Sequence, residues 1–96
     1  MRVIKLMADY DSFPLWEASP GQVGNIDPRD LPISAGLRAR LAKWAGDFDA
    51  TLDRDDPIES GFQSEEAEAD FSQTGRDLRQ QLEEELGPAF SVILKL

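Results

Sequence analysis

Ser64-Glu-Glu-Ala-Glu-Ala-Asp-Phe-Ser-Gln-Thr-Gly-Arg-Asp-Leu-Arg-Gln-Gln-Leu-Glu-Glu-Glu-Leu-Gly87-Pro88-Ala-Phe-Ser-Val-Ile-Leu-Lys-Leu96 decides the fold class of this chain. Ala67, Phe71, Gly75, Leu78, Leu82 and Leu86 recur at intervals of three and four. That spacing puts them on one face of a helix. Ser64 is placed to cap the first turn, and Glu65 and Glu66 lie where the helix dipole favours negative charge. Gly87 supplies a C-cap glycine, and Pro88 cannot continue the helix. The period then changes to two. Phe90, Val92, Leu94 and Leu96 share one face, and Ser91, Ile93 and Lys95 the other, which is a strand.

Upstream, a second helical stripe runs through Leu37, Leu41, Trp44, Ala45, Phe48 and Leu52, with Ser34 as its N-cap. This helix should end near Thr51, because Asp53-Arg-Asp-Asp-Pro57 and Gly61 break it. Residues 2–8 alternate as a strand whose core face carries Ile4, Leu6 and Ala8. Between them, Pro14, Pro20, Gly21, Gly24, Pro28 and Pro32 leave no room for a long regular element, so residues 9–33 read as an ordered loop. Asn25-Ile-Asp-Pro28 and Asp30-Leu-Pro32 read as local turns within it.

The expected architecture is therefore α+β. Two short terminal strands pair, in an antiparallel sense if each element reverses the chain, and pack against a two-helix hairpin. Residues 1–96 read as a single small domain, able to bury roughly 60–65% of its unfolded surface. A two-stranded sheet is marginal alone, so it must lean on the helices or extend across a dimer.

Composition excludes several classes of function. The chain has no cysteine and no histidine. Disulfide frameworks, thiol nucleophiles and the commonest general base and transition-metal ligand are thereby absent. Its N-terminus is interrupted by Lys5 and Asp9, so it does not read as a signal peptide, and no long apolar run suggests a membrane span. The cytoplasm is the expected compartment.

The net charge is −9, and it is unevenly placed. Residues 1–46 carry six basic and five acidic side chains, whereas residues 47–96 carry four basic and fourteen acidic ones. Such a field repels phosphate backbones and anionic lipid, and draws in basic partners. Neither a nucleic acid nor a membrane is expected to bind.

The acidic run Asp47 to Glu59 does not fit the calcium loop of an EF-hand. Counting from Asp47, the sixth and twelfth residues are Leu52 and Ile58; from Asp49 they are Arg54 and Ser60. Neither frame has the required glycine and glutamate. A looser divalent-metal site is an alternative, beside a plain helix-ending acidic turn and a partner-binding edge. Paired carboxylates acting on a sugar would need a deep cleft, and a serine nucleophile would need an unusual base. No enzyme activity and no cofactor are expected. Glu83-Glu-Glu85 reads first as a solvated face. Phe13-Pro-Leu-Trp16 reads as an aromatic plug over the core; were it exposed, Phe13 and Trp16 would suit a protein interface.

Several stretches resemble a widespread group of small, acidic, uncharacterised bacterial proteins. They are Ala8-Asp-Tyr-Asp-Ser-Phe-Pro-Leu-Trp16, Gly24-Asn-Ile-Asp-Pro28, Leu31-Pro32, and Trp44 through Phe62. The group's pattern is similar to DYDxFPLW, NIDPxxLP and DDPxxSGF; Ser12 and Glu17 depart from it. The resemblance implies an immunity protein of a contact-dependent growth inhibition toxin, often a basic nuclease. The expected function is thus a stoichiometric inhibitor of a basic protein, with Asp49, Asp53, Asp55, Asp56, Glu59 and Trp16 as contact residues. The alternative is a stand-alone domain that forms a homodimer through a strand edge.

Overall fold

The computed structural model describes residues 2–51, 61–62 and 64–96. Strand β1 spans Arg2–Leu6, β2 Leu15–Glu17 and β3 Asn25–Ile26. A single 3-10 turn, Pro28–Asp30, leads to helix α1, Ala35–Asp49. Helix α2, Glu65–Leu86, and strand β4, Phe90–Leu94, complete the order. The fold class is α+β as expected, with two departures inside the sheet.

The sheet has four strands in the order β3-β2-β1-β4, not two. Residues 9–33 are more than a loop, since they hold β2 and β3. These pair antiparallel, Leu15 with Ile26 and Trp16 with Asn25. The second departure concerns direction. β1 and β4 pair in parallel, from Arg2 with Phe90 to Leu6 with Leu94. Parallel partners need a long crossover, usually helical. The helical layer lying between β1 and β4 in the chain is that crossover, so the antiparallel expectation is corrected.

Side-chain alternation explains the burial. Ile4, Leu6, Leu15, Ile26 and Val92 point to one face and are buried there with Leu37, Leu41 and Trp44 of α1 and Leu78, Leu82 and Leu86 of α2. Burying each such leucine, isoleucine or valine stabilises the fold by about 1.5–3 kcal/mol. Ala8, Phe71, Phe90 and Leu94 pack at the margin. Phe48 and Ala67 are half-buried, Leu96 is exposed, and Leu52 lies outside the described residues.

The capping residues act as their positions imply. The Ser34 Oγ accepts the Leu37 N–H at 3.1 Å, and the Ser64 Oγ accepts the Ala67 N–H at 3.0 Å. Gly87 closes α2 at φ 78°, a conformation that favours glycine, and its N–H reaches the Glu83 carbonyl. Asp27 caps the 3-10 turn by accepting the Arg29 N–H at 2.9 Å, where a local turn was expected.

Edge strand β3 is only two residues long, and the Asn25 side chain lengthens it. Its Oδ1 accepts the Phe13 N–H at 2.9 Å, and its Nδ2 donates to the Phe13 and Leu15 carbonyls at 2.7 and 2.9 Å. The carboxamide thus replaces a peptide unit in the ladder. At the opposite edge, the Arg79 Nε donates to the Val92 carbonyl at 3.0 Å. A side chain from α2 thereby occupies a backbone acceptor that would otherwise invite another strand. No described helix is long and apolar enough to cross a membrane.

Candidate partner-binding surface

Of the six residues expected to meet a partner, Asp49 and Trp16 lie among the described residues, and these two stand apart. Asp49 ends α1 and is half-buried; its Oδ1 accepts the Asp11 N–H at 3.1 Å. That bond braces a residue at φ 55°, a left-handed conformation that aspartate tolerates better than most. Trp16 lies on the opposite side of the sheet, since its β1 neighbour is Lys5 rather than a core residue. Asp53, Asp55, Asp56 and Glu59 lie outside the described residues.

The Phe13-to-Trp16 plug is divided between core and surface. Pro14 and Leu15 are buried, while Phe13 stands 44% exposed. Trp16 is half-buried, and its Nε1 donates to the Met7 carbonyl at 3.0 Å. Pro14 and Leu15, not the aromatic rings of the expected plug, are therefore the buried members.

Helix α2 carries most of the described part of the acidic half, with Asp47 and Asp49 at the end of α1. Glu65, Glu66, Glu68, Asp70, Asp77, Glu83 and Glu84 are all exposed. Against them, Arg79 pairs with Glu83 at 3.3 Å, the one ion pair on this helix among the described residues. Both partners are about half exposed, so the pair contributes little and the surplus charge stands. Among the described residues, no group of three carboxylates is placed to hold a metal ion.

Glu85 has a different role from its neighbours, and one that the sequence hid. Its Oε1 accepts the Ser34 backbone N–H at 2.6 Å, and its Oε2 accepts the Ser34 hydroxyl at 3.0 Å. The end of α2 is thereby tied to the beginning of α1. A glutamate in the last turn, against the helix dipole, was the available signal that a tertiary donor is needed. The Ser34 N–H holds the Glu85 carboxyl below its usual pKa. Glu17, bonded by the Ser19 hydroxyl, and Asp27, bonded by the Arg29 guanidinium, shift the same way.

The sign of the pH effect follows. A lowered carboxylate stabilises the fold fully above its unfolded pKa, and that share is lost as pH falls through the lowered value. Stability is expected to be flat down to the ordinary glutamate pKa of 4.5 and to decline below it. The decline should be shallower in Glu85→Gln, followed by urea unfolding at a series of pH values. An acid limb identical to that of the unmodified protein would refute the role assigned to Glu85.

Two open grooves flank α1. One, of about 460 Å³, lies between α1 and α2 with Trp44 and Phe71 in its lining and Lys43, Asp47 and Asp70 around them. Trp44 and Phe71 stack at 4.5 Å with 6° between their planes, and Phe62 leans on Phe71 at 5.0 Å. The other, of about 360 Å³, runs between the 12–14 and 27–29 segments and the outer side of α1, lined by Phe13, Pro14, Pro28 and Ala42. Both are open to solvent.

A comparison with curated proteins finds no match. The family model described as Serratia CdiI immunity protein-like matches residues 2–95, nearly the whole of this acidic α+β chain, and the chain belongs to that family.

Proposed function

We propose that this protein is an immunity-type inhibitor that binds a cognate toxin stoichiometrically and neutralises it without catalysis. The membership of an immunity-protein family supports the toxin as partner. The observation that carries the surface assignment is the row of exposed carboxylates on α2, opposed by a single ion pair among the described residues. Asp49, Asp53, Asp55, Asp56 and Glu59 extend that charge in sequence toward the end of α1.

Such a surface complements a basic protein. Enzymes that act on nucleic acid present cationic surfaces to phosphate, so a nuclease toxin is the class that fits best. The inhibitor would work in the cytoplasm by occupying the surface that the substrate needs. Charge of this kind acts mainly on encounter rate and specificity, with the aromatic and apolar contacts holding the complex.

The test begins with recovery of the tagged chain from its native host at low salt. One basic protein should accompany it and be released as salt rises. Replacing Asp53, Asp55 and Asp56 together by lysine should weaken that complex by about tenfold or more. Unchanged affinity would remove these residues from the interface. A chain that runs alone as a dimer would favour self-association instead.

A further inference from the structure

The strongest unassigned feature is the side of the sheet turned away from the helices. By register, Asn25, Trp16, Lys5 and Ile93 form one continuous row across all four strands of that face. Val3 flanks the row next to Ser91, and Met7 and Lys95 lie beyond it at the other end. Lys5 therefore stands between an aromatic and an aliphatic side chain. Ile93 is 49% exposed, and the indole of Trp16 is fixed by its bond to the Met7 carbonyl. A large side chain already held in one orientation loses little entropy on binding, which is the property of interface anchors.

The charge of this face is opposite to that of the chain. The strand positions that point this way include Lys5 and no aspartate or glutamate, and Lys95 follows β4 directly, its N–H donating to the Leu6 carbonyl at 2.9 Å. Neither lysine forms an ion pair with a described residue. In a protein of net charge −9, two unpaired lysines beside an apolar row are a local reversal of sign.

We infer that the open face of the sheet, centred on Trp16, Lys5, Ile93 and Lys95, is a docking surface for a partner-protein segment that presents apolar side chains alternating with carboxylates. A second copy of this chain fits worse. Across a two-fold axis the same lysines would meet, and two molecules of net charge −9 repel. The inference goes beyond the immunity reading, because it assigns an acidic ligand to one side of a protein whose other side is acidic.

The test uses the full chain and two short synthetic peptides, one alternating valine with glutamate and one alternating valine with lysine. Amide shifts in two-dimensional nuclear magnetic resonance locate each. The glutamate peptide is expected to shift Val3, Lys5, Met7, Trp16 and Ile93, with the effect weakening as salt is added. Lys5→Glu with Lys95→Glu, changes outside the buried core, should weaken it by at least about tenfold and transfer preference to the lysine peptide. Shifts elsewhere, or equal response to both peptides at this face, would overturn the assignment. So would a dimer that Ile93→Asp dissociates, since a second copy would then be the occupant. No toxin enters the experiment, so its failure is separable from failure of the immunity reading.

Discussion

Trp44→Ala is expected to destabilise the fold by about 3–5 kcal/mol, the range for removing a large buried aromatic side chain. Trp44 is 2% exposed and sits where α1 meets α2. Three separate interactions would be lost. The indole stacks on Phe71 at a centroid distance of 4.5 Å, its Nε1 donates to the Phe71 carbonyl at 2.9 Å, and its Cζ2 edge lies against Gly75. The apolar burial and the cavity left behind dominate, because an isolated hydrogen bond contributes only about 1 kcal/mol net. Total stability of a domain this size is of order 5–15 kcal/mol, so the variant should lie near the edge of folding. Urea unfolding followed by circular dichroism measures the change. A loss near 1 kcal/mol would mean that the helix pair does not depend on Trp44. Trp44→Phe, which keeps most of the stack and loses the N–H, should fall well short of the alanine variant.

The second large effect is at Gly75, where size decides the outcome. A Cβ there would stand 3.1 Å from the Trp44 Cζ2, 3.4 Å from the Leu96 Cδ2 and 3.5 Å from the Leu94 Cδ1. Glycine inside a helix costs about 1 kcal/mol relative to alanine. Gly75→Ala therefore combines a propensity gain with one tight contact against a rigid ring, and should change stability by less than about 1 kcal/mol. Gly75→Leu keeps the propensity gain but forces α2 away from Trp44 and β4, and should cost about 2–3 kcal/mol. A leucine variant as stable as the original would mean that α2 can move outward freely. Both variants leave the acidic side of α2 unchanged, so toxin binding should follow stability alone.

These two sites show why the helices were legible in the sequence. A stripe with a period near 3.6, a serine cap at each start and Gly87-Pro88 at the end of α2 are local signals, and each corresponds to a local structure. Strands β1 and β4 were legible for the same reason. Strands β2 and β3 were not, being too short for alternation to show and embedded among prolines. Part of their ladder is made by the Asn25 side chain, which no backbone pattern reports. The direction of β4 was hidden as well. Nothing within Phe90–Leu94 encodes it, because it depends on the path of the whole connection from β1.

The candidate surface was less legible than the fold. Charge segregation is visible in the sequence, and the exposed carboxylates of α2 agree with it. Trp16 was recognisable as interface material, but its row neighbours Lys5 and Asn25 come from other strands, and Ile93 from the far end of the sequence, so no short window of sequence contains them together. Glu85 was concealed among identical neighbours. Only the position of Ser34 at the start of α1 separates it from Glu83 and Glu84.

The parallel pairing of β1 with β4 has a kinetic consequence. Strand β1 leaves the ribosome before both helices, and β4 leaves it after them. Until Phe90–Leu94 emerges, β1 has a partner only on its β2 side, and the sheet face of α2 has no β4 beneath it. Contacts so remote in sequence form late and slow folding. During synthesis the exposed edge of β1 is a site for pairing with the wrong chain. Translation arrested shortly before β4 would thus yield an aggregation-prone fragment, whereas emergence of β4 allows the central ladder to close.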